Sequence, residues 1–308
     1  MAKQFWQFNL TEDRGATLSA TMWCHCVAAG GAAQSECSAI VYFTEGDTAE
    51  VVLVRESAVV NGEDDAVIGR HPLFELCKVV RGDSDQYLRL EFEGEKGYVL
   101  VTRDEGLSVE ILEQLDEIVG MGATAAIDGS AQTRLALCDT LRVHHTEAND
   151  DEGQDMSEDD ILAYFLVFQL DGGGSDEAMV DLADKFCSGG VTKARARTLV
   201  MSMDWLYLCV EDYAMYPLPP GQVAPPERPN FSIGAADKQI LADLAHVHLL
   251  DGPHGTGSEL ELVFEDGPDS CRWRLLAATQ AARGELVGEL KAAWKAVFME
   301  DLPTAVRQ

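Results

Sequence analysis

The chain has 308 residues, 46% of them hydrophobic, with 53 acidic against 23 basic residues and a formal net charge of −30. The apolar share is too high for a disordered chain, and no apolar run reaches the length of a membrane-spanning helix. The acidity is even, 9 basic against 23 acidic over residues 1–130 and 14 against 30 over the rest, which excludes a nucleic-acid partner and disfavours adhesion to anionic membranes.

In chain order, the first half reads as short strands. Cys24 and Cys26 alternate and so share one strand face, with His25 on the other. CSAIVYFTEG and TAEVVLVRES are β-branched, apolar runs meeting at Gly46-Asp47, a hairpin signal. QYLRLEF alternates, with Leu88, Leu90 and Phe92 on one face and Arg89 and Glu91 on the other. The acidic turn EGEKG leads into YVLVTRD. The period then changes to that of a helix: Ile111, Leu112, Leu115, Ile118 and Val119 form a stripe, with Ser108 as the expected N-cap and Gly120 as the stop.

HHTEANDDEGQDMSEDD follows, with eight carboxylates and no Lys or Arg. Such a block repels itself and reads as a hydrated linker. It is not a calcium loop, because counting back from Gly153 puts Ala148 at the first ligand position. ILAYFLVFQL opens a second sheet. Ser175, Met179, Leu182, Ala183 and Phe186 suggest an inserted helix near 175–187. RARTLVMSM and WLYLCVED form a hairpin around Asp204, and the proline-rich 216–229 reads as an extended connector. ILADLAHVHLLDG and SELELVFEDG follow, the latter with Leu260, Leu262 and Phe264 inward. In CRWRLLAAT, Cys271, Trp273 and Leu275 alternate with Arg272 and Arg274. The last helix carries Leu286, Val287, Leu290, Trp294, Val297 and Phe298 on its stripe.

The order strand, acidic turn, strand, short loop, amphipathic helix thus occurs twice. The expected fold class is β-rich α+β, with two β-barrels each capped by a C-terminal amphipathic helix. The expected organisation is an N-terminal extension over 1–17, a first domain over 18–125, a linker with the acidic stretch over 126–159, and a second domain over 160–308.

Chemistry-bearing motifs do not appear. There is no phosphate loop, dinucleotide fingerprint, nucleophile elbow, HExxH or CxxC, so no catalytic residue, cofactor or metal is expected. The eight cysteines lack disulfide spacing and read as buried reduced thiols of a cytosolic protein. His246 and His248 share a strand face, with His254 following, but no third zinc ligand is indicated. One basic cluster interrupts the acidity: Lys193, Arg195 and Arg197 alternate onto one side of a strand, with Lys185 upstream. Basic residues so placed can hold an inositol phosphate head group. The alternative use is to pair with neighbouring carboxylates and protect the strand edge.

A hairpin, further strands and a final helix bearing a late tryptophan, Trp294, resemble a pleckstrin-homology (PH)-like domain. TLVMSMDWLYLCVEDYAMYPLPP, PERPNFSI, ILADLAHV, LELVFED and the closing DLP of 301–303 resemble the C-terminal region of the nischarin family of imidazoline-receptor-like scaffolds. TMWCHCVAAGG and SAIVYFTEG look like the preceding PH-like unit of the same proteins. The resemblance implies a cytoplasmic, non-catalytic scaffold module, endosome-associated when part of a longer protein. It also implies contacts with Rac and Rab small GTPases, kinases and integrin tails, without assigning them to residues. Family members carry a phox-homology domain and leucine-rich repeats upstream; neither occurs in this sequence, so the family's endosomal lipid binding does not carry over. The acidity here departs from the family pattern and favours partners with basic surfaces.

Overall fold

The computed structural model describes residues 17–29, 37–45, 49–61, 66–94, 96–120, 126–131, 134–135, 137–138, 141, 160–170, 180–181, 193–210, 237–250, 258–266 and 269–307. The first unit runs β1 (Thr17–Ala29), β2 (Cys37–Glu45), β3 (Glu50–Arg55), α1 (Glu56–Asn61), β4 (Val67–Pro72), β5 (Leu76–Arg81), β6 (Leu88–Phe92), β7 (Lys96–Val101), α2 (Glu105–Val119) and β8 (Ile127–Asp128). Its sheet order is β4-β3-β2-β1-β7-β6-β5-β8. Two antiparallel meanders meet along β1, whose Thr17–Cys26 portion pairs with β2 and whose His25–Ala29 portion pairs with β7. At 13 residues β1 is long enough to serve both halves.

The second unit comprises β9 (Ile161–Gln169), β10 (Val180–Asp181), β11 (Lys193–Ser202), β12 (Trp205–Cys209), β13 (Lys238–Ile240), β14 (Leu244–Leu250), β15 (Glu259–Asp266), β16 (Asp269–Leu276), α3 (Gln280–Phe298) and β17 (Thr304–Arg307). Its order, β13-β12-β11-β9-β16-β15-β14-β17 with β10 on β11, follows the plan of the first. The correspondence extends to the short strand after each helix: β8 lies parallel on β5, and β17 parallel on β14. Two PH-like units, each with a long helix followed by one short strand at its C-terminal end, make up the described fold.

Alternation decides what fills each unit. Cys24, Cys26, Val41, Phe43, Leu53, Leu88, Leu90 and Phe92 point inward and meet Ile111 and Leu115 of α2. In the second unit Leu199, Leu206, Leu260, Leu262, Phe264, Trp273 and Leu275 meet Leu286 and Leu290 of α3. The outer face of β2 and β3 is also apolar, and α1 covers it, so that Tyr42, Val52 and Val54 pack on Ala58 and Val59.

Several expectations change. Asp104, not Ser108, caps α2, accepting from the Leu107 N–H at 2.8 Å; Ser108 lies buried in the first turn, hydroxyl to hydroxyl with Thr102 at 2.7 Å. Val297 leaves the apolar stripe of α3 and is 38% exposed, while Ala293 takes the buried position. Within the window 175–187, Val180 and Asp181 are extended rather than helical, because their backbone pairs with Ala194 and Lys193; the other residues of that window lie outside the described residues. Cys77 is exposed rather than buried, whereas Cys24, Cys26, Cys138 and Cys209 are buried. In the stretch read as linker, Ile127 and Asp128 extend the first sheet, and Leu137, Cys138 and Leu141 are buried. The acidic stretch up to residue 159 and the proline-rich 216–229 lie outside the described residues.

Candidate functional site

The basic cluster divides once it is placed in the fold. Lys185 lies outside the described residues, and Lys193 is described by its backbone alone. Arg195 and Arg197 sit on β11 opposite Gln169 and Val167 of β9, and are only 7% and 3% exposed. Arg197 donates from Nε to the Gln169 Oε1 at 3.0 Å. Both guanidinium groups therefore share the face that carries Leu199 and Met201 into the core, at its end. Alternation correctly puts them on one side; which side is covered depends on β9, a strand separated from them by a long insertion.

A second group of arginines lies on β16 and β17. Arg274 reaches Glu259 at 2.8 Å, and Arg272 and Arg307 approach Glu261 at 3.7 and 3.3 Å. His246 and His248 stack with centroids 5.7 Å apart. Burial holds the His248 imidazole below its ordinary pKa, and Arg307 adds to the effect. Among the described residues no group of three His, Cys, Asp or Glu is arranged to hold a metal ion. His254 lies outside the described residues.

The more developed site is where the two units meet. Tyr87, Val99 and Val101 of the first unit, Leu137, Cys138 and Leu141 of the connection, and Tyr164, Leu166, Val200 and Tyr207 of the second form one buried cluster. The amide of Gln86 completes it: Nε2 donates to the Tyr164 carbonyl and Oε1 accepts from the Leu166 N–H, both at 2.7 Å. β16 reaches β9 at its far end, at Phe168, Gln169 and the Leu170 N–H that follows, so this side chain serves the part of the β9 edge that β16 leaves. The helix starts are tied as well. Thr279 caps α3 by accepting from the Ala282 N–H at 3.0 Å, and its hydroxyl donates to Asp104, the cap of α2.

Between these contacts opens a cleft of about 360 Å³. Trp23, Val101, Leu107, Phe168 and Ala278 give it apolar walls, and His25, Thr102, Arg103, Ser258 and Thr279 give it polar groups. The Arg103 guanidinium lies 4.0 Å over the Phe168 ring, whose centroid is 5.0 Å from that of His25. Arg103 and His25 are each 2% exposed, while Trp23 is 39% exposed. Nearby, desolvation raises the pKa of the Glu285 carboxyl, and the charges of Glu105 and Asp104 add to the rise.

Local patterns do not reveal this cleft, because its walls come from strands and helix starts far apart in the chain. The one legible hint is His25, a titratable side chain set between the two inward cysteines of β1. Asp104 and Thr279 also each stand three residues before an N–H they cap, a spacing visible in the sequence but shared by Ser108.

Residues 161–275 match the family model described as the nischarin C-terminal PH domain. No curated protein matches the chain. Among solved structures, the chain is similar to the C-terminal PH domain of pleckstrin in complex with D-myo-Ins(1,2,3,4,5)P5, at 14% identity and a TM-score of 0.26, over 33% of this chain and 98% of that one. It is similar to the hSac2 domain of human phosphoinositide phosphatase Sac2 at 12% identity and a TM-score of 0.32, over 56% and 88% of the two chains. It is similar to the DH/PH domains of p115-RhoGEF at 12% identity and a TM-score of 0.30, over 61% and 45%.

Proposed function

We propose that this chain, which carries the nischarin C-terminal PH domain over residues 161–275, is a protein-interaction module of a cytoplasmic signalling or trafficking scaffold rather than an enzyme. The family supports a non-catalytic binding role. Its working parts are two PH-like domains, over 18–125 and 160–308, held together by the 126–159 connection. The observation that carries the choice of partner is the net charge of −30, spread over both halves. Such a field accelerates encounter with basic surfaces and repels nucleic acid and anionic bilayers. Small GTPases such as Rac or Rab fit the family's signalling role, as do kinases and integrin tails, and association with endosomes comes through the rest of a longer protein. Among the described residues no helix is long and apolar enough to cross a membrane.

Affinity capture of small GTPases loaded with GDP or with a GTP analogue, at low and at high salt, tests this reading. Retention that depends on the nucleotide and falls with salt supports it; no retention in any arm removes it. Lipid binding through Lys185, Lys193, Arg195 and Arg197 has weaker support, since Arg195 and Arg197 are buried. Co-sedimentation with phosphoinositide liposomes, repeated with those charges reversed, tests that alternative.

A further inference from the structure

We infer that the cleft between the two units is a binding site for a small amphipathic organic anion, an aromatic or branched apolar body carrying one carboxylate or sulfonate. Its volume, about 360 Å³, falls in the range of small-molecule sites, about 300–1,000 Å³, and such sites favour domain interfaces. The sign of the ligand follows from the lining. The chain has 53 acidic residues, yet among the described residues that line this cleft there is no Asp or Glu, and Arg103 is the Lys or Arg side chain. Asp104, next along the chain, has its carboxylate aimed elsewhere, accepting from the Leu107 N–H and the Thr279 hydroxyl at two helix starts. A guanidinium is always charged, weakly hydrated and planar, and so matches a carboxylate or sulfonate. Here it is held in place by stacking on Phe168. Ser258 adds a hydroxyl able to donate to the same anion, whereas the hydroxyl protons of Thr102 and Thr279 are already given to the Gln86 carbonyl and to Asp104.

The body of the ligand follows from the rest of the lining. Trp23, 39% exposed, offers an indole face at the opening, and Leu107 and Ala278 continue the apolar wall. A ligand with its charge toward Arg103 and its apolar part toward Trp23 satisfies both ends. The site needs both units, because Trp23, Arg103 and Leu107 belong to the first and Phe168, Ser258 and Ala278 to the second. It is independent of the proposed protein partner.

The test is titration of the full chain with anilinonaphthalene sulfonate, with the uncharged phenyl-naphthylamine as a control of similar aromatic body. The expected result is one saturable sulfonate site per chain, with the neutral probe weaker by roughly tenfold or more, as for loss of a charge-assisted hydrogen bond. The indole N–H resonance lost in Trp23→Phe should shift on binding. Arg103→Gln should weaken the sulfonate by roughly ten- to hundredfold while leaving the neutral probe unchanged. If Arg103→Gln does not fold, Ala278→Leu serves in its place: it fills the cleft and should abolish binding of the sulfonate. Equal affinity for the two probes, binding by many equivalents, or sulfonate binding unchanged in a folded Arg103→Gln or Ala278→Leu variant would overturn the inference.

Discussion

Tyr42 sits beneath α1 with no exposed surface, and burial pushes its phenol from the ordinary 10.0 up to about 12. The folded state thus favours the neutral phenol. Its contribution to stability is fully present below the unfolded-state pKa near 10, and is lost as pH rises from there to about 12. Burial raises Tyr98 and Tyr207 as well, so Tyr42→Phe should remove part of the alkaline loss and not all of it. Urea midpoints measured across that pH window, wild type against variant, check this; an unchanged slope would mean that the Tyr42 phenol ionises as easily folded as unfolded. The need for burial at this position was legible in the β-branched run around it. The cover was not, because α1 is a six-residue helix, too short to show a periodic stripe.

Within elements, the period-two pattern located the inward faces of β6, β15 and β16 correctly, since a pleated strand must put alternate residues on opposite sides. Helical spacing says less about the edges of a stripe than about its centre. A stripe drawn at helical spacing over α3 includes Val297, but the packed face at this end of the helix runs through Ala293, Trp294 and Phe298 and leaves Val297 38% exposed, while Leu290 has no exposed surface. Leu290→Ala should cost about 2–5 kcal/mol, the usual range for a core leucine. Val297→Lys should change stability by less than about 0.5 kcal/mol. Chemical denaturation distinguishes the two positions, and a large loss at Val297 would place it in a packed interface. The caps show a related ambiguity. Ser108 and Asp104 are both good N-cap residues four apart, and the choice falls to Asp104 because Ser108 is drawn into the buried bond with Thr102. For the basic cluster the pattern gave the face and not the cover: the bond of Arg197 to Gln169 crosses to a partner strand that alternation cannot identify.

At the scale of the whole molecule, the sequence made the two units legible as a repeated order of elements, and it left the joint between them invisible. The joint is built from outward-facing residues such as Val99, Tyr164 and Tyr207 together with the connection, and the Gln86 amide is a buried polar link across it. Replacing Gln86 with Leu strands the Tyr164 carbonyl and the Leu166 N–H, at a cost of about 1–3 kcal/mol for each buried group left unsatisfied. Calorimetry of the wild-type chain should show a single cooperative transition, and Gln86→Leu should lower it or split it in two. Two separate transitions in the wild type would show that the joint adds little.

The acidity is also a property of the whole molecule, because it belongs to both halves rather than to one tail. It acts before contact, on the rate of encounter more than on the lifetime of a complex. The most direct measurement is the association rate constant with a captured small GTPase as ionic strength rises. The account predicts a rate that falls steeply with added salt while the dissociation rate changes little. An association rate indifferent to salt, or one that climbs with it, would contradict the claim that this charge selects the partner.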